Sequence, residues 1–438
     1  MNSWTSSSAA VVMAALSAAG CAGSETAAAP APATIVASCA AALAPGAERD
    51  DRDRAIARLQ QQARSPASDA AIERLGYAFV ARARVNGDPG DYTLAEQAAA
   101  CLESRRPADP AALLLEGHVF HQLHRFADAE RIARDLVARR GSVLDYGLLG
   151  DAVMEQGRLD EAAEAYQKMI DLKPFYQSYT RAAHMRWLKG DLDGAIEAMR
   201  LAIGAASPRD PESVAWSWTR LAGYELQAGR IGEANAAAAN ALKFLPDYPA
   251  ALLVQGRILL STERVADAVP VLRRAARLNP LPEYQWALTD ALRLQRLGTE
   301  ADALEQELVT RGSAADPRTV SLYLATRRTK APRALALAEA ELRTRADIFT
   351  LDAHAWALVA SGRIPEALPV ITRAVSEGTQ DGRLFLHAGV INAAAGRVRE
   401  ARHWLRKAER LRSTLLPSEI EQLDTHLIGT ARESGELK

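Results

Sequence analysis

The 438-residue sequence predicts an all-α fold, a solenoid of stacked helix–turn–helix repeats. Three observations support this fold class. Alanines recur at a nearly constant spacing, glycines and prolines recur at fixed offsets from them, and no long segment alternates between apolar and polar residues as a strand would. A period near 34 residues indicates paired helices that repeat along the chain. The steps are 33 or 34 residues except for one of 39, and the alanines are Ala129, Ala162, Ala195, Ala234, Ala268, Ala301, Ala334, Ala367 and Ala401.

The residues around each alanine predict the two helices of a repeat and the turn between them. Five repeats carry a glycine five residues before the alanine, as Gly157 does before Ala162. Glycine suits the end of the first helix, where a left-handed residue is needed, and the following acidic residue suits the first turn of the second helix. About twelve residues upstream a small residue recurs, where we expect the first helix to approach the second: Gly117, Gly150, Ala183, Ala222, Gly256, Ala355 and Gly389. Proline closes several repeats, because it cannot continue a helix.

Residues 157–174, GRLDEAAEAYQKMIDLKP, resemble the second helix and exit of the tetratricopeptide repeat family. The resemblance covers residues 68–416 and implies a right-handed superhelix that binds other proteins in a concave groove. Two places depart from the family pattern. Thr329–Pro332 replaces the turn glycine in the repeat at 316–348, and extra residues lie around 207–211.

The domain organisation follows from the repeats. Length alone would suggest about three compact domains, but the repeats predict one elongated domain after an N-terminal tail. We expect a capping helix and a first degenerate repeat at 48–110, nine repeats at 111–416, and a capping helix with a short tail at 417–438. Solenoids need such caps, because their end repeats would otherwise expose an apolar face.

Residues 1–20 are predicted to be a signal peptide and residues 21–47 an Ala/Pro-rich disordered tether. The apolar run at 9–20 is too short to span a membrane and has the length of a signal-peptide core. Ala18-Ala19-Gly20-Cys21 resembles the lipobox of bacterial lipoproteins, which implies acylation of Cys21 and an outer-membrane anchor facing the periplasm. No Lys or Arg precedes the run and Ala18 stands where leucine is usual, so simple secretion and a cytoplasmic location stay open.

The sequence has three cysteines, so Cys39 and Cys101 are the two left to pair if Cys21 carries lipid. In an oxidising compartment they could form a disulfide that ties the N-terminal segment to an early helix. The alternative is that Cys101 is a small buried residue.

The sequence contains no enzyme motif, and we expect no catalytic residue, no cofactor and no metal. Its net charge of −1 gives no electrostatic reason to expect a nucleic-acid partner. His118 and His121 share one helix face, where they could bind an ion with Asp151. Two histidines without a metal are the preferred interpretation.

The family resemblance implies that one face of each first helix lines the concave groove. Four of the seven tryptophans fall on this face, and aromatic and arginine side chains are typical of protein-binding hot spots. The predicted partner-binding residues are His118, His121, Asp151, Glu155, His184, Trp187, Trp216, Thr219, Arg257, Trp286, Asp290, Arg293, Tyr323 and Trp356.

Three functions agree with these observations. The leading one is a non-catalytic scaffold or adaptor of the bacterial cell envelope that holds a protein or peptide partner in the groove. The second is an assembly factor for an envelope or secretion machine. The third is a carbohydrate- or lipid-binding accessory protein, in which the tryptophans stack on sugar rings.

Overall fold

The structure, a computed structural model, describes residues 39–46, 50–64, 69–86 and 88–433. All regular secondary structure in these ranges is helical, which confirms the all-α fold. The predicted signal peptide, Cys21 and most of the predicted tether lie outside the described residues.

The chain divides into two compact units, and the division falls between residues 149 and 150. Inside the second unit, late repeats contact early ones. A repeat period predicts contacts between neighbouring repeats only, so it could not reveal these long-range contacts.

The first unit contains a helical segment at 39–43, five full helices and the start of a sixth. Their bounds are α1 Asp51–Ala63, α2 Asp69–Asn86, α3 Pro89–Arg105, α4 Pro110–Gln122, α5 Phe126–Arg139 and α6 Val143–Glu155. The carboxylate of Asp50 caps α1 by accepting a hydrogen bond from the backbone N–H of Asp53 at 2.8 Å. Ile56 of α1 packs in one core cluster with Leu75 and Phe79 of α2.

The second unit contains the rest of α6 and sixteen further helices, with a 3₁₀ turn at Arg412–Thr414. Their bounds are α7 Leu159–Leu172, α8 Tyr176–Leu188, α9 Leu192–Ala205, α10 Pro211–Gln227, α11 Ile231–Phe244, α12 Pro249–Ser261, α13 Val265–Leu278, α14 Pro282–Leu294, α15 Gly298–Ala315, α16 Pro317–Thr326, α17 Ala331–Leu342, α18 Ile348–Ala360, α19 Ile364–Ala374, α20 Gly382–Ala394, α21 Val398–Arg410 and α22 Pro417–Glu433. Nine helix pairs therefore run from Pro110 to Arg410, and α22 follows them.

The recurring alanines mark the contact between the two helices of each pair. All nine are fully buried, at 0% exposure. The facing position on the first helix must also be small, because a Cβ on Gly389 would lie 2.7 Å from the side chain of Leu405, and one on Gly256 would clash with Leu272. The two sequence patterns therefore describe one close helix–helix contact.

The turn between paired helices uses a left-handed residue in most repeats. Gly157, Gly190, Gly229, Gly362 and Gly396 have φ between 72° and 83°. Where the sequence has no glycine, His124, Glu263, Arg296 and Arg328 adopt the same conformation with φ between 52° and 62°. The backbone geometry of the repeat thus persists where its sequence signature is lost.

The second unit folds back on itself. The backbone N–H of Ala346 donates to the carbonyl oxygen of Glu155 at 3.0 Å, and the hydroxyl of Thr379 donates to the carbonyl oxygen of Leu188 at 2.5 Å. Lys189 forms an ion pair with Glu377 at 2.6 Å. The loops that follow α17 and α19 therefore contact the ends of α6 and α8.

Candidate functional site

The predicted groove face is mostly buried in the structure. Eleven of its fourteen residues have relative exposures of 8% or less. They are His118, His121, Asp151, His184, Trp187, Trp216, Thr219, Trp286, Asp290, Tyr323 and Trp356. Glu155, Arg257 and Arg293 are half-buried. What covers these side chains decides whether the face can bind a partner.

The two histidines of the first unit pack against aromatic rings. His118 meets Tyr77 edge-on with ring centroids 5.9 Å apart, and His121 meets Phe126 edge-on at 5.3 Å. Within the described ranges, no cluster of three or more His, Cys, Asp or Glu residues could hold a metal ion.

Asp151 belongs to a buried polar network. Its carboxylate accepts two hydrogen bonds from Arg181, at 2.9 and 2.6 Å, and one from the Tyr166 hydroxyl at 2.8 Å. Burial raises the pKa of Tyr166 well above its usual value. The network joins α6 to α7 and α8, and removing one partner would leave a buried charge uncompensated.

Residues after α17 cover the groove face of α6 and α8. Arg345 forms ion pairs with Glu155 and with Asp347, the second at 3.1 Å. The ring of Phe349 stacks on Trp187 with centroids 5.5 Å apart and an interplanar angle of 18°.

His184 lies beside Trp187, with ring centroids 5.1 Å apart. Burial, followed by the nearby charge of Arg220, lowers the pKa of His184 well below 6.5, so this imidazole is neutral at physiological pH. A neutral, buried histidine packed on an aromatic ring is a core residue.

The C-terminal helix α22 covers the groove face of α14. The indole Nε1 of Trp286 donates to the hydroxyl oxygen of Ser418 at 3.1 Å. Asp290 accepts hydrogen bonds from the backbone N–H and the hydroxyl of Ser418, at 2.9 and 2.6 Å. The Arg383 guanidinium lies 4.9 Å from the Trp286 ring centroid and forms an ion pair with Glu419.

Burial raises the pKa of Asp290 to about 6, although the hydrogen bonds from Ser418 oppose this shift. The same surroundings act differently on Glu419, whose pKa is lowered because the charge of Arg383 and the hydrogen bonds it receives outweigh its burial. The contact between α14 and α22 therefore holds two buried carboxyl groups with opposite pKa shifts.

Arg257 and Trp356 also contact the C-terminal half of the second unit. Arg257 donates to the carbonyl oxygen of Thr414 at 2.5 Å. Trp356 donates through Nε1 to the Thr326 hydroxyl at 3.0 Å and stacks on His387 with centroids 4.1 Å apart. Both side chains are thus held by other parts of the chain.

The last four groove residues lie within or between neighbouring helices. The ring of Tyr323 meets Trp286 edge-on at 5.5 Å, and Arg293 forms an ion pair with Asp302 at 3.2 Å. The Thr219 hydroxyl donates to the carbonyl oxygen of Ala215 at 2.7 Å. Trp216 is 7% exposed.

The expectation of an open groove lined by these residues therefore needs correction. In the second unit the face exists, but the chain itself fills it, with the loops after α17 and α19, the 3₁₀ turn and α22. Sequence register could not show that distant repeats and the C-terminal helix would return to cover these side chains.

Helix α22 contacts earlier repeats as well as the last one. It forms where a final helix was expected, and it contacts α20 and α21 of the last repeat. In addition, Gln422 donates to the carbonyl oxygen of Thr326 at 3.3 Å. The helix therefore covers inner faces of earlier helices besides the end of the stack.

One strongly charged surface was missed in the sequence. Helix α21 carries Arg399, Arg402, His403, Arg406 and Arg410 around a shallow surface depression, and we call these five residues the α21 basic stripe. Their spacing of three or four residues puts them on one helix face. The sequence VREARHWLRKAER contains this signal, but a charge run on a helix is usually read as a solvated face.

Cys39 and Cys101 form a disulfide in the first unit. Their Cα atoms are 4.8 Å apart and their sequence separation is 62 residues. Cys101 is also fully buried, and the structure shows it bonded to Cys39 rather than as an unbridged core residue.

No helix in the described part of the chain is long and apolar enough to cross a membrane. This finding concerns residues 39–433 with their gaps, and the N-terminal segment is outside it.

Comparison with known proteins agrees with the repeat geometry. A family model described as "Tetratricopeptide repeat" matches residues 114–177, 148–211, 219–281 and 353–414, which together make up just over half of the chain. No curated protein sequence is similar to the chain.

Solved structures with a similar helical arrangement include a thermophilic TPR protein, TTC0263, from Thermus thermophilus. It is 23% identical, the match covers 44% of this chain and 100% of that one, and the TM-score is 0.38. Another is the human IFIT1 dimer with PPP-AAAA, which is 10% identical over 84% of this chain and 96% of that one, with a TM-score of 0.46.

Proposed function

Because the chain belongs to the tetratricopeptide repeat family, we propose that it is a non-catalytic scaffold of the bacterial cell envelope that binds a protein partner. Repeats of this kind serve protein–protein interaction, since stacked helix pairs make a large and regular surface. The single observation that supports the proposal best is the repeat itself: nine helix pairs with a fully buried alanine in each.

The partner-binding surface of the second unit is the exposed face of its helices. The inner face predicted from sequence is packed by Arg345, Phe349, Thr414 and Ser418 of the same chain. A partner that used the inner face would first have to displace these segments. Displacement would expose buried apolar side chains such as Leu416 and Leu423, which is unfavourable.

The envelope location is supported by two observations. The apolar run before Cys21 resembles a lipoprotein signal, and a disulfide such as Cys39–Cys101 persists in oxidising compartments. In this proposal the N-terminal cysteine carries the lipid, and the chain faces the periplasm.

A labelling experiment tests the location. Cells that express the full chain or Cys21→Ser are grown with an alkyne fatty-acid analogue, and the membrane and soluble fractions are compared. We expect label and membrane association for the parent chain and neither for the variant. Cys39→Ser serves as the matched control, because it removes a different cysteine and should stay labelled. An unlabelled parent chain in the soluble fraction would refute the anchor.

A second experiment tests the scaffold function. The lipidated chain is cross-linked in intact cells, solubilised with detergent and purified, and the attached proteins are identified by mass spectrometry. We expect a reproducible protein partner that is lost with Ala268→Glu, a substitution that disrupts the helix contact. Recovery of no partner across repeated preparations would refute the scaffold function.

If the chain is instead an assembly factor for an envelope or secretion machine, the same experiment should recover several proteins that belong to one machine. The carbohydrate-binding alternative loses the feature that favoured it, because Trp187, Trp216, Trp286 and Trp356 are 7% exposed or less. Buried indoles cannot stack on a sugar ring without rearrangement of the surrounding helices.

A further inference from the structure

The second unit contains one kind of contact between distant repeats, and this contact occurs twice. We call the loop after the second helix of a pair its exit loop, and the turn between the two helices its pair turn. The exit loop of α17 contacts the pair turn after α6, and the exit loop of α19 contacts the pair turn after α8. The sequence separations are 190 residues for Arg345 and Glu155 and 191 residues for Thr379 and Leu188. The two contacts are therefore the same arrangement, one repeat apart.

An exit loop fits closely on a pair turn. A Cβ on Gly190 would lie 2.7 Å from the carbonyl oxygen of Gly378, and a Cβ on Gly157 would clash with the carbonyl oxygen of Ala346. Every helix pair in the stack has a pair turn and an exit loop. The two surfaces that fit together therefore recur along the second unit, beyond the repeats that close it.

Large apolar side chains are exposed at exit loops of early repeats and at one pair turn of a later repeat. Leu172, Phe244 and Leu278 are the last residues of α7, α11 and α13, and they are 55%, 43% and 37% exposed. Leu294 and Leu297 flank the pair turn between α14 and α15 and are 53% and 41% exposed. We call the first three residues the exit surface and the last two the turn surface.

These five side chains are most of the large apolar groups exposed in the described part of the chain. The others are Leu201 and Ile428. Single exposed leucines are ordinary on a protein surface, but five at two kinds of loop are a pattern. Three later repeats differ at the exit-surface position, ten residues after the buried alanine: Thr344 and Glu377 are polar, and Leu411 is half-buried against the core. The exposed apolar side chains thus lie where the chain does not cover them.

We propose that this chain associates with itself head to tail, with the exit surface of one copy docked on the turn surface of a second copy. The contact has the same two components as the closure inside the second unit, an exit loop and a pair turn. It removes the exposed apolar side chains from water, which is favourable. The two surfaces differ, so the contact is heterologous, and each copy keeps one surface for a further copy. Self-association goes beyond the scaffold function, which concerns a different protein.

Sedimentation velocity of the full chain tests the proposal at roughly 1 to 100 µM, a range that spans micromolar affinity. All samples contain the same mild detergent, so any association through the N-terminal segment is common to every variant. We expect the average mass of the parent chain to rise with concentration beyond that of a dimer, because a heterologous contact leaves free surfaces at both ends.

Two double variants each remove one surface. The exit variant is Phe244→Asp with Leu278→Asp, and the turn variant is Leu294→Asp with Leu297→Asp. Each should weaken self-association at least about tenfold, because it places charges in an apolar contact. Ile428→Asp, at a side chain that is 49% exposed and outside both surfaces, is the control and should associate like the parent chain. Circular dichroism and melting temperature verify that all variants are folded.

A mixture of the exit variant and the turn variant distinguishes a heterologous contact from a symmetric one. The two variants together keep one intact turn surface and one intact exit surface, so we expect a dimer with one copy of each and no larger species. Monomers only in the mixture would overturn the proposal, as would a parent chain that stays monomeric at about 100 µM. Association that either double variant leaves unchanged would also overturn it, because another surface would then carry the contact. The scaffold function stands in each of these cases.

Discussion

The carboxylate of Asp290 accepts two hydrogen bonds from Ser418, a residue 128 positions later in the chain. Ser418 lies at the start of α22, and Asp290 lies on the face of α14 that was expected to be open. This pair joins the C-terminal helix to the middle of the repeat stack, and it buries a carboxyl group at 2% exposure.

Asp290 should make the second unit less stable as pH rises. Its folded pKa is about 6, against an ordinary value of 3.8, so the native state favours the protonated form. The contribution is fully present below pH 3.8 and is lost as pH rises through about 6. The charges facing this group are Glu419, which raises its pKa, and Arg327, which lowers it.

Asp290→Asn should remove this dependence, because the amide keeps an acceptor and does not titrate. Between about pH 4 and pH 7 the difference in unfolding free energy between parent and variant should change by up to about 3 kcal/mol. Urea unfolding at both pH values measures it. Asp302→Asn, at a side chain that is 70% exposed, is the control. Parallel pH profiles for parent and Asp290→Asn would contradict the assignment.

Ala268→Glu should destabilise the chain by roughly 3 kcal/mol or more, because it buries an unpaired charge in the helix contact. Ala268 is fully buried, whereas Ala266 on the same helix is exposed. Ala266→Glu is therefore the matched control and should leave the melting temperature nearly unchanged. Similar melting temperatures for the two variants would show that the alanine ladder does not mark the contact.

Trp216→Ala, Trp286→Ala and Trp356→Ala should each lower stability by about 3–5 kcal/mol, the usual loss for a buried aromatic side chain. Denaturant unfolding measures the effect. Trp404→Ala, at a half-buried position, should cost less. Variants that keep full stability but lose affinity for a partner would instead support the open groove expected from the sequence.

Removal of the disulfide should loosen the N-terminal unit. A cross-link over 62 residues stabilises by about 4 kcal/mol in the chain-entropy treatment, with a range of roughly 2–5 kcal/mol. Reductant should lower the stability of the parent chain to that of Cys39→Ala and leave the variant unaffected. Denaturation with and without reductant measures both. An unchanged parent chain in reductant would show that the cysteines are not paired in solution.

The sequence by itself determined the local architecture. Ala268 and its equivalents mark helix contacts because only a small residue fits between helices at that distance, and Gly157 and its equivalents mark turns because left-handed backbone favours glycine. These requirements act within one repeat, so they leave a periodic signal. Even the repeat at 316–348 keeps its buried Ala334, although its turn uses Arg328 instead of glycine.

Only the tertiary structure decided what the predicted groove face contacts. Three pairs meet although their residues lie far apart in the chain: Asp290 and Ser418, Glu155 and Arg345, and Leu188 and Thr379. In repeat proteins the curvature of the stack follows from small rotations between successive repeats. Each rotation is set by many weak packing contacts, so no short motif encodes the sum. Contacts of this kind cover the inner face of the second unit, which is why the tryptophans predicted to line an open groove are buried.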